Sequence, residues 1–271
     1  MKPFLFSHKP PVNSSSSEAW RWLHELEEAT PVFWRLLSQF GSSRFHIRNS
    51  ATYYQGSIDL AQAFLNSSGF FLTTQPSLNL KISQIDTIYA IEPEETSTGQ
   101  LEIDFLNRSS NLVITDCSAK TLKLITTLFG WELKPETPNL LSNRQLTPLP
   151  LCPCCANHAE TRRSTATSNP LYAIFQTLAT AQKEITFNLR SPGLNLVTQF
   201  SPSKVESKNG HLILSEKENE LRVDVGYLFK LYIREIELDK ELVSEISLIN
   251  SHGITFGTIC GPSALINKVF K

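Results

Sequence analysis

The sequence predicts an α+β fold made of two copies of one unit, each a helix followed by a large antiparallel β-meander. Three observations predict it. Blocks of the 271-residue chain coincide when it is laid over itself with a shift of about 142 residues. The coinciding blocks alternate apolar and polar residues with period two, which sends successive side chains to opposite faces of a sheet. Helical spacing is confined to short stretches before or after those blocks.

Residues 17–26 carry a capping serine ahead of alternating tryptophans, leucines and glutamates, and the spacing predicts a helix that opens the first unit. The first coincident block sets His46-Ile47-Arg48-Asn49-Ser50-Ala51-Thr52-Tyr53-Tyr54 over Asn188-Leu189-Arg190-Ser191-Pro192-Gly193-Leu194-Asn195-Leu196, so Arg48 falls on Arg190. In the second, Gly69-Phe70-Phe71-Leu72 lies over Gly210-His211-Leu212-Ile213, and Leu80-Lys81-Ile82 over Leu221-Arg222-Val223. The third sets Glu102-Ile103-Asp104-Phe105-Leu106-Asn107 over Glu245-Ile246-Ser247-Leu248-Ile249-Asn250, after which Cys117 meets Cys260. Leu78/Leu80/Ile82, Leu101/Ile103/Phe105 and Ile246/Leu248 each supply one buried face, and residues 94–99 and 107–111 are polar stretches of hairpin size. Helical spacing returns at residues 119–128, closing the first unit, and at 171–183, opening the second.

The domain organisation follows: a loose amino terminus over residues 1–17, a first repeat over 18–133, a Pro/Ser/Thr-rich linker over 134–169 and a second repeat over 170–271. Prolines at 135, 138, 148, 150 and 153 forbid a regular helix through the first part of the linker, and residues 161–168 offer no core side chains.

Composition excludes several classes. Twenty-five basic residues against 26 acidic ones leave no positive field for nucleic acid or anionic lipid. No apolar run approaches the roughly 20 residues of a membrane helix. Five cysteines, three of them crowded at 152–155, do not form the spaced framework of a secreted protein, so a cytoplasmic location is expected. No nucleophile-base-orienter series, Gly-rich phosphate cradle, HExxH or carboxylate pair is present, so the chain offers no catalytic residue and whether it is an enzyme stays open.

The order of the blocks resembles the repeat of the HemS/ChuX haem-utilisation family. The matching residues are Arg48-Asn49, Gly69-Phe70-Phe71, Leu78-Asn79-Leu80, Tyr89-Ala90-Ile91 and Leu101-Glu102-Ile103-Asp104-Phe105 in the first half. In the second they are Ser191-Pro192-Gly193, Gly210, Leu221-Arg222-Val223 and residues 246–253. The resemblance covers roughly residues 30–130 and 170–262. It implies two stacked antiparallel sheets flanked by helices, and a haem-binding, haem-handling role as carrier, with haem or another small hydrophobic molecule as ligand. The family holds iron with a histidine on the helix that opens the second repeat. Here that stretch reads Thr167-Ser168-Asn169-Pro170-Leu171-Tyr172 and has no histidine.

The residues that carry chemistry are few. Cys152, Cys154, Cys155 and His158 form the one concentrated set of soft ligands, readable as a zinc site, as a redox pair or as incidental thiols of a linker. His158 is also the spare imidazole for haem, and Cys152-Pro153 resembles the dipeptide through which some haem-responsive proteins offer a thiolate. Arg48 and Arg190 read either as propionate partners or as ordinary strand arginines. Tyr53, Tyr54 and Tyr227 read as phenolate ligands or as packing residues, and Cys117 and Cys260 as small core residues. The rival function is a scaffold or partner-binding protein that kept the fold and lost haem, its linker stabilised by zinc.

Overall fold

A computed structural model describes residues 21–26, 31–74, 76–92, 98–129, 134–136, 146–238 and 241–270. Along the first half run β1 (Arg21–Leu26), α1 (Pro31–Leu36) with a 3-10 turn, β2 (Ser42–Asn49), β3 (Thr52–Asp59), β4 (Phe64–Leu65), β5 (Phe70–Leu72), β6 (Ser77–Lys81), β7 (Ile85–Glu92), β8 (Gly99–Phe105), β9 (Ser110–Cys117), α2 (Ala119–Leu128) and β10 (Lys134–Glu136). Then come α3 (Pro153–Asn157), α4 (Ala159–Ser164) and α5 (Pro170–Ala181). The second half continues with β11 (Ile185–Ser191), β12 (Leu194–Phe200), β13 (Lys204–Lys208), β14 (His211–Glu216), β15 (Asn219–Asp224), β16 (Lys230–Leu238), β17 (Glu241–Ile249), β18 (Thr255–Pro262) and α6 (Ser263–Ile266).

The fold is α+β, with two antiparallel sheets stacked on one core. Among the described residues one sheet has ten strands in the order β10-β1-β7-β8-β9-β2-β3-β15-β14-β13, and the other has eight in the order β16-β17-β18-β11-β12-β6-β5-β4. The two halves obey the same rule. In each, five strands form one contiguous block (β7-β8-β9-β2-β3, lengthened at its β7 edge by β1 and β10, and β16-β17-β18-β11-β12), while three others (β4–β6 and β13–β15) extend the block of the other half. The seams are β3 against β15, with Tyr54 opposite Leu221, and β12 against β6, with Leu196 opposite Leu78. The halves are thus interleaved rather than laid side by side.

Period-two burial explains the strands. In β2, Phe45 and Ile47 enter the core while Arg44, His46 and Arg48 face outward; in β11, Ile185, Phe187 and Leu189 enter while Thr186, Asn188 and Arg190 do not. Rings from both sheets meet in the middle: Tyr54 lies 6.0 Å from Phe187 and from Phe200. The Tyr54 hydroxyl donates to Asn219 at 2.9 Å and meets the Thr198 hydroxyl at 3.1 Å, so no buried polar atom of this tyrosine is wasted. Helix α5 starts on Pro170, with the Asn169 side chain capping the Leu171 amide at 3.0 Å, and buries Leu171, Ile174, Phe175 and Leu178. Gly69 and Gly210, at φ +76° and +77°, open β5 and β14 as the sequence predicts, each in the left-handed region that favours glycine.

Three expectations are corrected. The helix expected over residues 17–26 is a strand at Arg21–Leu26, which pairs with β7 from Trp22 opposite Glu92 to Leu26 opposite Ile88; residues 17–20 lie outside the described ones. Tertiary pairing with an open strand edge outweighs a weak helical cue. The linker is folded over 153–168, where α3, α4 and a 3-10 turn bury Cys155, Ala159 and Ala166. Cys117 and Cys260 do not share an environment. Asp116 sits at φ +60°, and the β8–β9 register slips between Gly99 and Leu101, so Cys117 turns into the core and is fully buried. The second half has no such kink at this point, and Cys260 stands on the outward row opposite Glu245 and Thr186.

Candidate functional site

Residues 149–152 are tied to the β-turns at one end of the sandwich. The Leu149 amide donates to the Ser50 hydroxyl at 2.6 Å, the Asn250 side chain donates to the Pro150 carbonyl at 3.1 Å, and the Cys152 amide donates to the Ser251 hydroxyl at 3.1 Å. Both turn asparagines are themselves organisers. Asn49 accepts from the Ala51 and Thr52 amides, and Asn250 accepts from those of His252 and Ile254.

On this anchor the three linker cysteines converge. Their sulfurs lie within 4.8 Å of one another, and among the described residues this is the one group of three such ligand atoms. Cys152 and Cys154 approach to 2.9 Å, and the Cys155 amide donates to the Cys152 sulfur at 3.4 Å. Those contacts, the Cys154 thiol first, lower the Cys152 thiol to about 6, whereas the same partnership raises Cys154. Of the two, Cys152 is the thiol whose charged form these contacts favour. Alkylation by iodoacetamide is expected to reach Cys152 before the more exposed Cys154, at a rate that falls as pH drops through about 6; peptide mapping that finds both modified at equal rates would count against this charge assignment.

His158 does not join the three sulfurs. It ends α3, exposed, with its amide bonded to the Cys154 carbonyl. The candidate haem arginines are also parted. Arg48 stands on the outward face of the ten-stranded sheet, where it donates to Asn111 at 2.9 Å, and Asn111 donates to the buried Glu102 at 2.6 Å. Arg190 is exposed on the outward face of the eight-stranded sheet. Side chains leaving opposite sides of a sandwich do not grip one macrocycle. Arg190 does stand where β11 ends beside the start of β18, the strand that leaves the turn holding Cys152.

Burial raises the tyrosines rather than freeing phenolates. Tyr53 and Tyr54 are pushed up to about 12 and Tyr227 also rises, so all three stay protonated and pack. Tyr53 lies between His46, stacked at 5.5 Å, and the Arg222 guanidinium at 4.9 Å.

The residues missed from sequence lie just after the cysteines. Arg162 donates to the carbonyls of Cys155, at 2.8 Å, and Gly226. Arg163 makes a two-pronged pair with the buried Asp224 at 2.9 and 2.8 Å, bonds Glu160, and lies across Gly210 and Gly226, where an added Cβ would fall 2.4 and 2.6 Å from its side chain. Asp224 also accepts from the Gly226 amide at 2.8 Å. The only sequence signal was the pair of glycines that clears this path.

No family model and no curated protein sequence matches the chain. Solved structures do. Holo-PhuS, a haem-binding protein from Pseudomonas aeruginosa, superposes with a TM-score of 0.64 at 11% identity over 89% of this chain and 81% of that one. The haem-degrading enzyme ChuS of Escherichia coli O157:H7 gives 0.64 at 12% identity over 93% and 86%. A second ChuS structure, described as a haem oxygenase of E. coli, gives 0.63 at 13% identity over 93% and 88%. The interleaved sandwich described above is therefore the fold of PhuS and ChuS.

Proposed function

We propose that this protein binds haem and hands it on, as a carrier in the cytoplasm, with His158 as the iron ligand and Arg190 as the propionate partner. The observation that carries the reading is the fold, shared over about nine-tenths of the chain with proteins described as haem-binding and haem-degrading. The helix that opens the second repeat bears on the fit, because the family's histidine would stand there. There Asn169 serves as a helix cap, Pro170 starts α5 and Leu171 is buried, so none of the three offers iron a lone pair. An imidazole is nevertheless present upstream, exposed on the folded segment 153–168. Five free thiols suit a reducing compartment. No described helix is long and apolar enough to cross a membrane, and a net charge of −1 offers nothing to nucleic acid.

Hemin added to the pure protein is expected to give a saturable Soret shift at about one equivalent, weakened at least about tenfold in His158→Ala and less in Arg190→Ala. A spectrum unchanged at micromolar protein rejects the reading. The second reading, a scaffold or partner-binding protein that kept the fold without haem, draws on the use of Asn169 and Leu171 for capping and packing. It expects weak hemin uptake that His158→Ala does not alter.

A further inference from the structure

We propose that Cys152, Cys154 and Cys155 form a three-sulfur site for a soft d10 cation, with Cu(I) as the ion whose coordination it matches. Donor type and donor number point to that ion. The three sulfurs converge within 4.8 Å, and no histidine nitrogen or carboxylate oxygen of the described residues joins the group. Thiolates select soft ions, and zinc in a structural site takes four ligands, so a site of three sulfurs alone favours an ion content with three. A metal–sulfur bond of about 2.3 Å places three trigonal sulfurs about 4 Å apart. To reach that value the Cys152–Cys154 pair at 2.9 Å opens by about 1 Å, a change within reach of a rotation of the exposed Cys154 side chain.

The frame around the sulfurs is built. The Cys152 amide is fixed by Ser251, the Cys155 carbonyl by Arg162 and the Pro150 carbonyl by Asn250, so the two outer ligands sit on a backbone tied to the rest of the fold. Cys155 is 6% exposed, which leaves Cys154 and Cys152 as the entry side. Binding exchanges thiol protons for the cation and moves no electrons. The inference stands apart from the haem proposal, because its test contains no hemin.

The test is anaerobic titration of the reduced full-length protein with Cu(I) against a chromophoric Cu(I) chelator. One equivalent withdrawn from the chelator, with an ultraviolet thiolate-to-copper band, is the expected result. Cys154→Ser should weaken uptake at least about tenfold, and Cys260→Ser, remote on the outward face of the eight-stranded sheet, should leave it unchanged. Cys154 is exposed, so its serine variant is expected to retain the far-ultraviolet dichroism of the parent. Failure to compete with the chelator overturns the proposal. So does equal uptake by Cys152→Ser/Cys154→Ser, or zinc held more tightly than Cu(I) in a parallel titration.

Discussion

Arg163→Ala is expected to lower the unfolding free energy by about 3–5 kcal/mol, because it strands a buried carboxylate. Asp224 is 2% exposed and takes two guanidinium bonds from Arg163, one backbone amide from Gly226, and a distant approach from His211 at 4.0 Å. Its bonds in turn raise the Arg163 guanidinium further above its ordinary range, so Arg163 keeps its charge at every accessible pH. The loss in Arg163→Ala should therefore be visible in urea unfolding at neutral pH. Arg163→Met combined with Asp224→Leu should recover much of it, since removing both charges leaves no uncompensated group. A single Arg163→Ala variant with the parent's midpoint would show that the pair contributes nothing.

Tyr54→Ala should cost a similar amount, about 3–5 kcal/mol, by opening a cavity where the two sheets meet. Its ring lies 5.9 Å from Phe45 in its own sheet and 6.0 Å from Phe187 and Phe200 in the other. Tyr54→Phe keeps that packing and gives up the bonds to Asn219 and Thr198, so about 1 kcal/mol is expected. Burial holds the Tyr54 hydroxyl up to about 12, so this difference should not vary across neutral pH. Urea midpoints for the two variants check the ratio; equal losses would place the energy in the hydroxyl rather than the ring.

The strand faces were legible because alternation reports burial directly. Leu101, Ile103, Phe105, Ile246 and Leu248 are all fully buried, as their spacing predicts. Which strand lies beside which was not legible. Period two tells a strand which side faces the core and says nothing of its neighbour, so the exchange of β4–β6 and β13–β15 could not be read. The three thiols were found from spacing alone, but not the exclusion of His158 from their group, which depends on how α3 ends. Arg163 and Asp224 are 61 positions apart in the chain, and no local pattern joins them. The contrast between Cys117 and Cys260 turns on one left-handed residue, Asp116, whose conformation the sequence does not announce.

Synthesis of this chain is one-directional, and the interleaving makes that matter. When only the first half has left the ribosome, the free edge of β3 has no β15 to meet and β6 has no β12, because Glu220–Val223 and Leu194–Val197 do not yet exist. Unpaired edges template the wrong partners. A nascent first half is thus an incomplete surface that two such halves from neighbouring ribosomes could cover for each other. The covalent link between the halves is what lets the correct partner arrive first.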